Sequence, residues 1–138
     1  MTRIFLSLAS LVAASTVLIG AEIADETAFA KLMKEVGDMN KQFKTNLSAE
    51  DSAALSKSAA RASDIYKDMA GFWQKHKAEK AAKWAEESSA AAKALAAAAT
   101  AKDWAKAKEQ LGEFSKNCKL CHEAHRTKTE DGSYKIKW

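Results

Sequence analysis

Apolar side chains recur at alternating steps of three and four residues over most of this chain, the period of helices that each bury one stripe. A first helix is predicted from about Asp25, its N-cap, to Lys44, with Phe29, Leu32, Met33, Val36, Asn40 and Phe43 on one face. Asn46-Leu47-Ser48 reads as a turn, and Ser48-Ala49-Glu50-Asp51 as a capping box with a shortened acid. The second helix repeats Leu55, Ala59, Ala62, Tyr66, Met69 and Trp73, a bundle heptad, and should turn between Gly71 and Ala78. On the third, Trp84, Ser88, Ala91, Leu95 and Ala98 form the stripe, and the alanine-rich run from Ala90 to Ala99 fits close helix packing. Thr100-Ala101-Lys102-Asp103 reads as another box-like cap. The fourth helix then carries Trp104, Ala107, Leu111, Phe114, Cys118, Cys121 and His125 on its seam. Four such helices with short connections predict an all-α, antiparallel four-helix bundle.

Composition sharpens this picture at the two ends. The chain has 138 residues, no proline and five glycines, so helix breaks must be found from caps and periodicity. Arg3, the apolar stretch Ile4 to Ile19 and the small pair Gly20-Ala21 read as an export signal over residues 1–21, leaving 22–138 as the bundle domain. The apolar run is short for a membrane span, so removal is expected rather than stable membrane insertion. At the far end, Glu130-Asp131-Gly132 is a turn signal, and Ser133 to Trp138 alternates as extended chain would.

Charge excludes one class of partner. The formal net charge is +4, and losing Arg3 makes it +3. That field is too weak for a nucleic-acid binder. No glycine-rich phosphate loop, nucleophile elbow or carboxylate pair in a recognisable motif appears, so no enzymatic activity is expected.

The chemistry concentrates in Asn117-Cys118-Lys119-Leu120-Cys121-His122, which holds both cysteines of the chain. Cys-x-x-Cys-His is the pattern of covalent c-type haem attachment. Two thiols can add across neighbouring vinyl groups only at a short fixed separation, and the next residue then turns its imidazole toward the iron. On a helix Cys118 and Cys121 are three apart and His122 is four from Cys118, so all three share a face. A thioredoxin-like redox pair would need a βαβ setting, and a zinc site would need a second Cys/His pair at finger spacing. Neither is present in the sequence. One covalent haem c, with His122 as proximal iron ligand, is the expected reading, with a disulfide or a metal site as the alternatives, and export suits it because thiols left outside the cytoplasm tend to pair.

The opposite ligand is less well marked. Met33 points inward, and Gly37, one turn later on the same face, removes a side chain that would hold a flat macrocycle away. Periodicity alone leaves Met33, Met39 and Met69 in play, since a methionine on an apolar stripe usually fills core. Trp84 could pack against the macrocycle or simply be core. Arg126, one turn beyond His122, could meet a propionate, tune the imidazole, or be a solvated cation at a helix C-terminus. His125 shares the helix of His122 and therefore cannot bind the other face of the same haem. Lys116, Lys119 and Lys128 could steer an acidic redox partner or form a wet surface.

Cys118-Lys119-Leu120-Cys121-His122 near the end of the last of four helices, followed four positions later by Arg126, resembles the cytochrome c′ family. In cytochromes c of the mitochondrial type the haem motif lies near the N-terminus instead. Lys31-Leu32-Met33-Lys34-Glu35-Val36-Gly37 is similar to the low-spin branch of the family, which implies Met33 as the distal iron ligand. The resemblance covers most of residues 23–126. The chain departs from the family where Phe29 replaces an arginine one turn before the ligand position, in a shorter proline-free connection between the second and third helices, and in a longer tail after Arg126. It implies a periplasmic one-electron carrier that serves redox partner proteins, with a homodimer through the first two helices left open. The alternative is a protein that binds nitric oxide or carbon monoxide at an open or displaceable sixth site. A peroxidase-like enzyme would need a distal acid/base pair that the first helix does not supply.

Overall fold

The computed structural model describes residues 21–138, so the stretch read as an export signal lies, apart from Ala21, outside the described residues. Four helices follow one another: α1 Glu26–Ser48, α2 Ser52–Lys75, α3 Glu79–Thr100 and α4 Trp104–His125. A short antiparallel hairpin, β1 Arg126–Lys128 and β2 Tyr134–Ile136, completes the described chain. The helices pack in a closed ring, each against its sequence neighbours and α1 against α4, which is the expected four-helix bundle. Among the described residues no helix is long and apolar enough to cross a membrane.

The heptad on α2 is buried along its whole length, from Leu55 to Trp73, and so are Val36 and Phe43 on α1 and Ala107, Leu111 and Phe114 on α4. These stripes behave as their period dictates. The helix ends do not fall where the sequence suggests. α1 runs through Asn46-Leu47-Ser48, read above as a turn, and α3 runs through Thr100, whose hydroxyl donates to the Ala96 carbonyl at 3.0 Å.

The reason is a device used three times. Each of the connections 49–51, 76–78 and 101–103 places a non-glycine residue at positive φ: Glu50 at 52°, Lys77 at 59° and Lys102 at 56°. After each, the next amide reaches back five residues to a helix carbonyl, Asp51 to Asn46, Ala78 to Trp73 and Asp103 to Ala98. These are Schellman closures with lysine or glutamate where glycine is usual, a substitution that costs roughly 1–2 kcal/mol each. The residue after the closure already caps the following helix: Asp51 Oδ1 accepts from the Ala54 amide at 2.9 Å and Asp103 Oδ1 from the Lys106 amide at 3.0 Å. Asp51 and Asp103, and not Ser48 and Thr100, are therefore the N-caps. The expected cap at Asp25 is present, accepting from the Ala28 amide at 2.8 Å.

The four interfaces differ in tightness. α2 and α3 meet most closely, through alanines and serines, whereas α1 and α4 approach each other least. The tail turns at Glu130–Gly132, with Gly132 at φ 83°, and pairs Arg126 with Ile136, Thr127 with Lys135 and Lys128 with Tyr134. The alternation read over Ser133–Trp138 is thus a real, three-residue strand that folds back on the end of α4.

Candidate functional site

Where α1 and α4 stand apart, the bundle encloses a cavity of about 650 Å³. Its size falls within the roughly 300–1,000 Å³ range of cofactor pockets. All four helices and the hairpin contribute to its wall.

Beside the cavity, aromatic side chains pack into the core around Tyr66, which lines it. Phe114 meets Phe43 edge-on at 5.7 Å and Tyr66 at 5.2 Å, and these three are buried. Because α1 and α4 run antiparallel, one turn back from Phe43 and one turn on from Phe114 bring Asn40 and Asn117 to the same level. Both line the cavity. Gly37 and then Met33 follow at successive turns of α1, and Cys118, Cys121 and His122 follow Asn117 on α4, all lining the cavity. At the outer end Phe29 meets Trp73 edge-on at 5.2 Å, and Trp73 meets His125 at a tilt at 5.0 Å.

Every residue assigned to the site from the sequence faces this one cavity: Cys118, Cys121 and His122 from α4, Met33 and Gly37 from α1, and Arg126 from the start of β1. The methionines separate. Met33 and Met69 line the cavity, whereas Met39 is buried elsewhere in the core. Trp84 also lines it, against His125 at 6.5 Å.

The chemistry of the donor set suits a covalent haem better than a redox pair or a metal site. The cysteines are not joined to each other. Burial pushes both thiols up, Cys121 to about 11 with the neighbouring Cys118 adding to the effect. Catalytic dithiols and metal ligands need the opposite shift, toward thiolate. A neutral thioether bears such burial without cost. The Cys118 Sγ also lies 3.3 Å from the Tyr66 hydroxyl, whose own ionisation is pushed well up, first by burial and then by Cys118. Among the described residues no group of three or more His, Cys, Asp or Glu side chains could hold a metal ion.

Burial, helped by the Arg126 charge, also lowers the pKa of His122. A neutral imidazole offers iron its lone pair. Gly37 presents open space, since a Cβ built there would meet nothing within 4 Å. The Asn40 Oδ1 is buried at the wall without a hydrogen-bond partner, an acceptor left for whatever fills the cavity.

Arg126 is not part of α4. It is the C-cap, its amide donating to the His122 carbonyl, and its guanidinium lies 4.4 Å above the Tyr134 ring. His125 shares a 3.0 Å hydrogen bond between Nδ1 and the Lys137 carbonyl. On the surface, Lys116 and Lys119 pair within α4 with Glu113 and Glu123. Sequence reasoning took Tyr66 as plain core and gave Asn117 no role. The signal for Asn40 was available, since a polar residue on an otherwise apolar stripe asks for a partner.

A four-helix bundle with a side cavity carrying Cys-x-x-Cys-His on one wall is a haem-binding bundle. The family model described as Cytochrome C' matches residues 4–126, and the chain belongs to that family. No curated protein and no solved structure was found to match it. Membership implies a haem cofactor, and the cavity walled by all four helices and lined by Cys118, Cys121 and His122 has the residues to receive it.

Proposed function

We propose that this protein is an exported, periplasmic carrier of single electrons, with one haem c bound covalently to Cys118 and Cys121, ligated by His122 and Met33, and no enzymatic activity. The observation that carries the reading is that Met33 and His122 line the same cavity, from the two neighbouring helices that approach each other least. When bound, the haem supplies a one-electron couple, and methionine–histidine ligation raises its potential. The chain's own residues do the rest. His122 offers a neutral nitrogen, Met33 a soft sulfur, and Phe29, Tyr66 and Trp73 line the cavity with aromatic surface. With His122 and Met33 both engaged by the group, exchange of an electron with a redox partner protein would be the remaining activity. The fold without a membrane-crossing helix among its described residues is consistent with action in the periplasm after signal removal.

The test is the absorption spectrum of the ferric protein. A low-spin spectrum with a methionine-to-iron charge-transfer band at the red edge, lost in Met33→Ala, is the expected result. A high-spin, five-coordinate spectrum in the unaltered protein would replace this reading with that of a gas-binding haem protein.

A further inference from the structure

The two walls that carry the iron ligands are joined at the inner end by Phe43 on Phe114. At the outer end they are joined by the tail. Leaving α4, the chain forms the hairpin, whose Tyr134, Lys135 and Ile136 line the cavity. The returning strand is fastened to α4, where the Lys137 amide donates to the His125 carbonyl at 2.8 Å and the His125 ring meets the Lys137 carbonyl. It then reaches across to α1. Trp138 Nε1 donates to Glu26 Oε1 at 3.0 Å, and the indole packs on Trp73 at 5.9 Å, Phe72 at 6.2 Å and His76 at 4.5 Å. Among the described residues this is the one side-chain hydrogen bond from α1 to α4 or the segment after it.

We propose that the hairpin and Trp138 form a strap that ties α4 to α1 across the outer end of the haem cavity and limits how readily a small ligand reaches the iron's sixth position. Glu26 and Trp138 are positioning residues: neither needs to touch the haem. The strap is held by contacts of modest strength. Trp138 remains 59% exposed, so its hydrogen bond and aromatic contacts compete with water, and segments held in this way open far more often than the bundle unfolds. Opening frees the N-terminal turns of α1, which carry Met33 two turns further on. If Met33 is bound to iron, carbon monoxide forms its iron bond as the thioether leaves, with no electron transferred; if the site is open, it enters by the same widened gap.

The experiment measures carbon monoxide binding to the ferrous holoprotein by stopped flow. Trp138→Ala, which removes hydrogen bond and stacking together, should speed association about tenfold. Trp138→Phe keeps the stacking and should speed it about threefold, as should Glu26→Ala, and the two together should do no more than either alone. An association rate for Trp138→Ala equal to that of the unaltered protein, with Soret and far-ultraviolet spectra unchanged, would overturn the strap. Should Trp138→Ala fail to fold, the non-additive pair Trp138→Phe and Glu26→Ala decides. The inference draws on the proposed Met33 ligation only for its mechanism. The red-edge band of the unaltered ferric protein tests that ligation, and the ratio of rates tests the strap whatever the band shows.

Discussion

The α2–α3 interface and the α1–α4 interface are opposite sides of one bundle, built to opposite ends. Between α2 and α3, small side chains let the backbones approach. Ser63 and Ser89 exchange hydroxyl-to-carbonyl bonds of 2.9 and 2.8 Å, and the Ser52 hydroxyl reaches the Ala99 carbonyl at 2.6 Å. By the same antiparallel register, Ala59 and Ala92 lie opposite each other, both wholly buried. Between α1 and α4 the small residue, Gly37, has no protein atom against it and keeps space open. Small residues thus do two different things in one chain. Alanine on a seam draws helices together, and glycine beside a cavity leaves room for a flat guest. The closed half gives the bundle its stability, so that the open half can hold thiols, an imidazole and an unpartnered amide oxygen that would otherwise destabilise a core.

The comparison breaks most readily on its closed side. Ala92→Leu should cost about 1–3 kcal/mol in denaturant unfolding, because a wholly buried position between close helices cannot take three more carbons without strain. Ala92 does not line the cavity, so the haem absorption should not move. A stability unchanged by this substitution would show the interface is not close-packed. On the open side Gly37→Ala should change sign with the cofactor. In a haem-free chain carrying Cys118→Ala and Cys121→Ala it should stabilise by about 0.5–1 kcal/mol through helix propensity. In the holoprotein the gain should vanish or reverse. Equal gains in both would show that the macrocycle does not lie against α1.

The smallest effect belongs to the strap. Asp131 accepts from the Thr129 hydroxyl and from the Ser133 amide and hydroxyl, which hold its carboxyl at about 2 against an ordinary 3.8. The folded value is the lower one, so the unfolded hairpin takes up the proton first. The carboxylate's support for the hairpin is whole above about pH 4 and lost as pH falls toward 2. Trp138 fluorescence in the holoprotein should therefore show a step in that window, which Asp131→Asn removes.

Much of this was written plainly in the sequence. The stripes of α2 and α4 follow directly from period, and Cys118, Cys121 and His122 are legible because haem attachment demands that spacing. Met33 was separable from Met69 and Met39 only by resemblance, and the fold itself removes Met39 alone. The helix ends were misplaced because Glu50, Lys77 and Lys102 occupy left-handed positions that sequence rules reserve for glycine. The tail's role was hidden for another reason. Trp138 and Glu26 stand more than a hundred residues apart, and no local pattern announces a contact made only once the bundle has closed.

The central claim is that one iron is gripped from both sides of the open interface, by His122 on α4 and Met33 on α1. X-ray absorption at the iron edge of the ferric holoprotein reads this directly. The account predicts a single sulfur bonded to iron, absent in Met33→Ala; an iron bonded only to nitrogen and oxygen in the unaltered protein would contradict it.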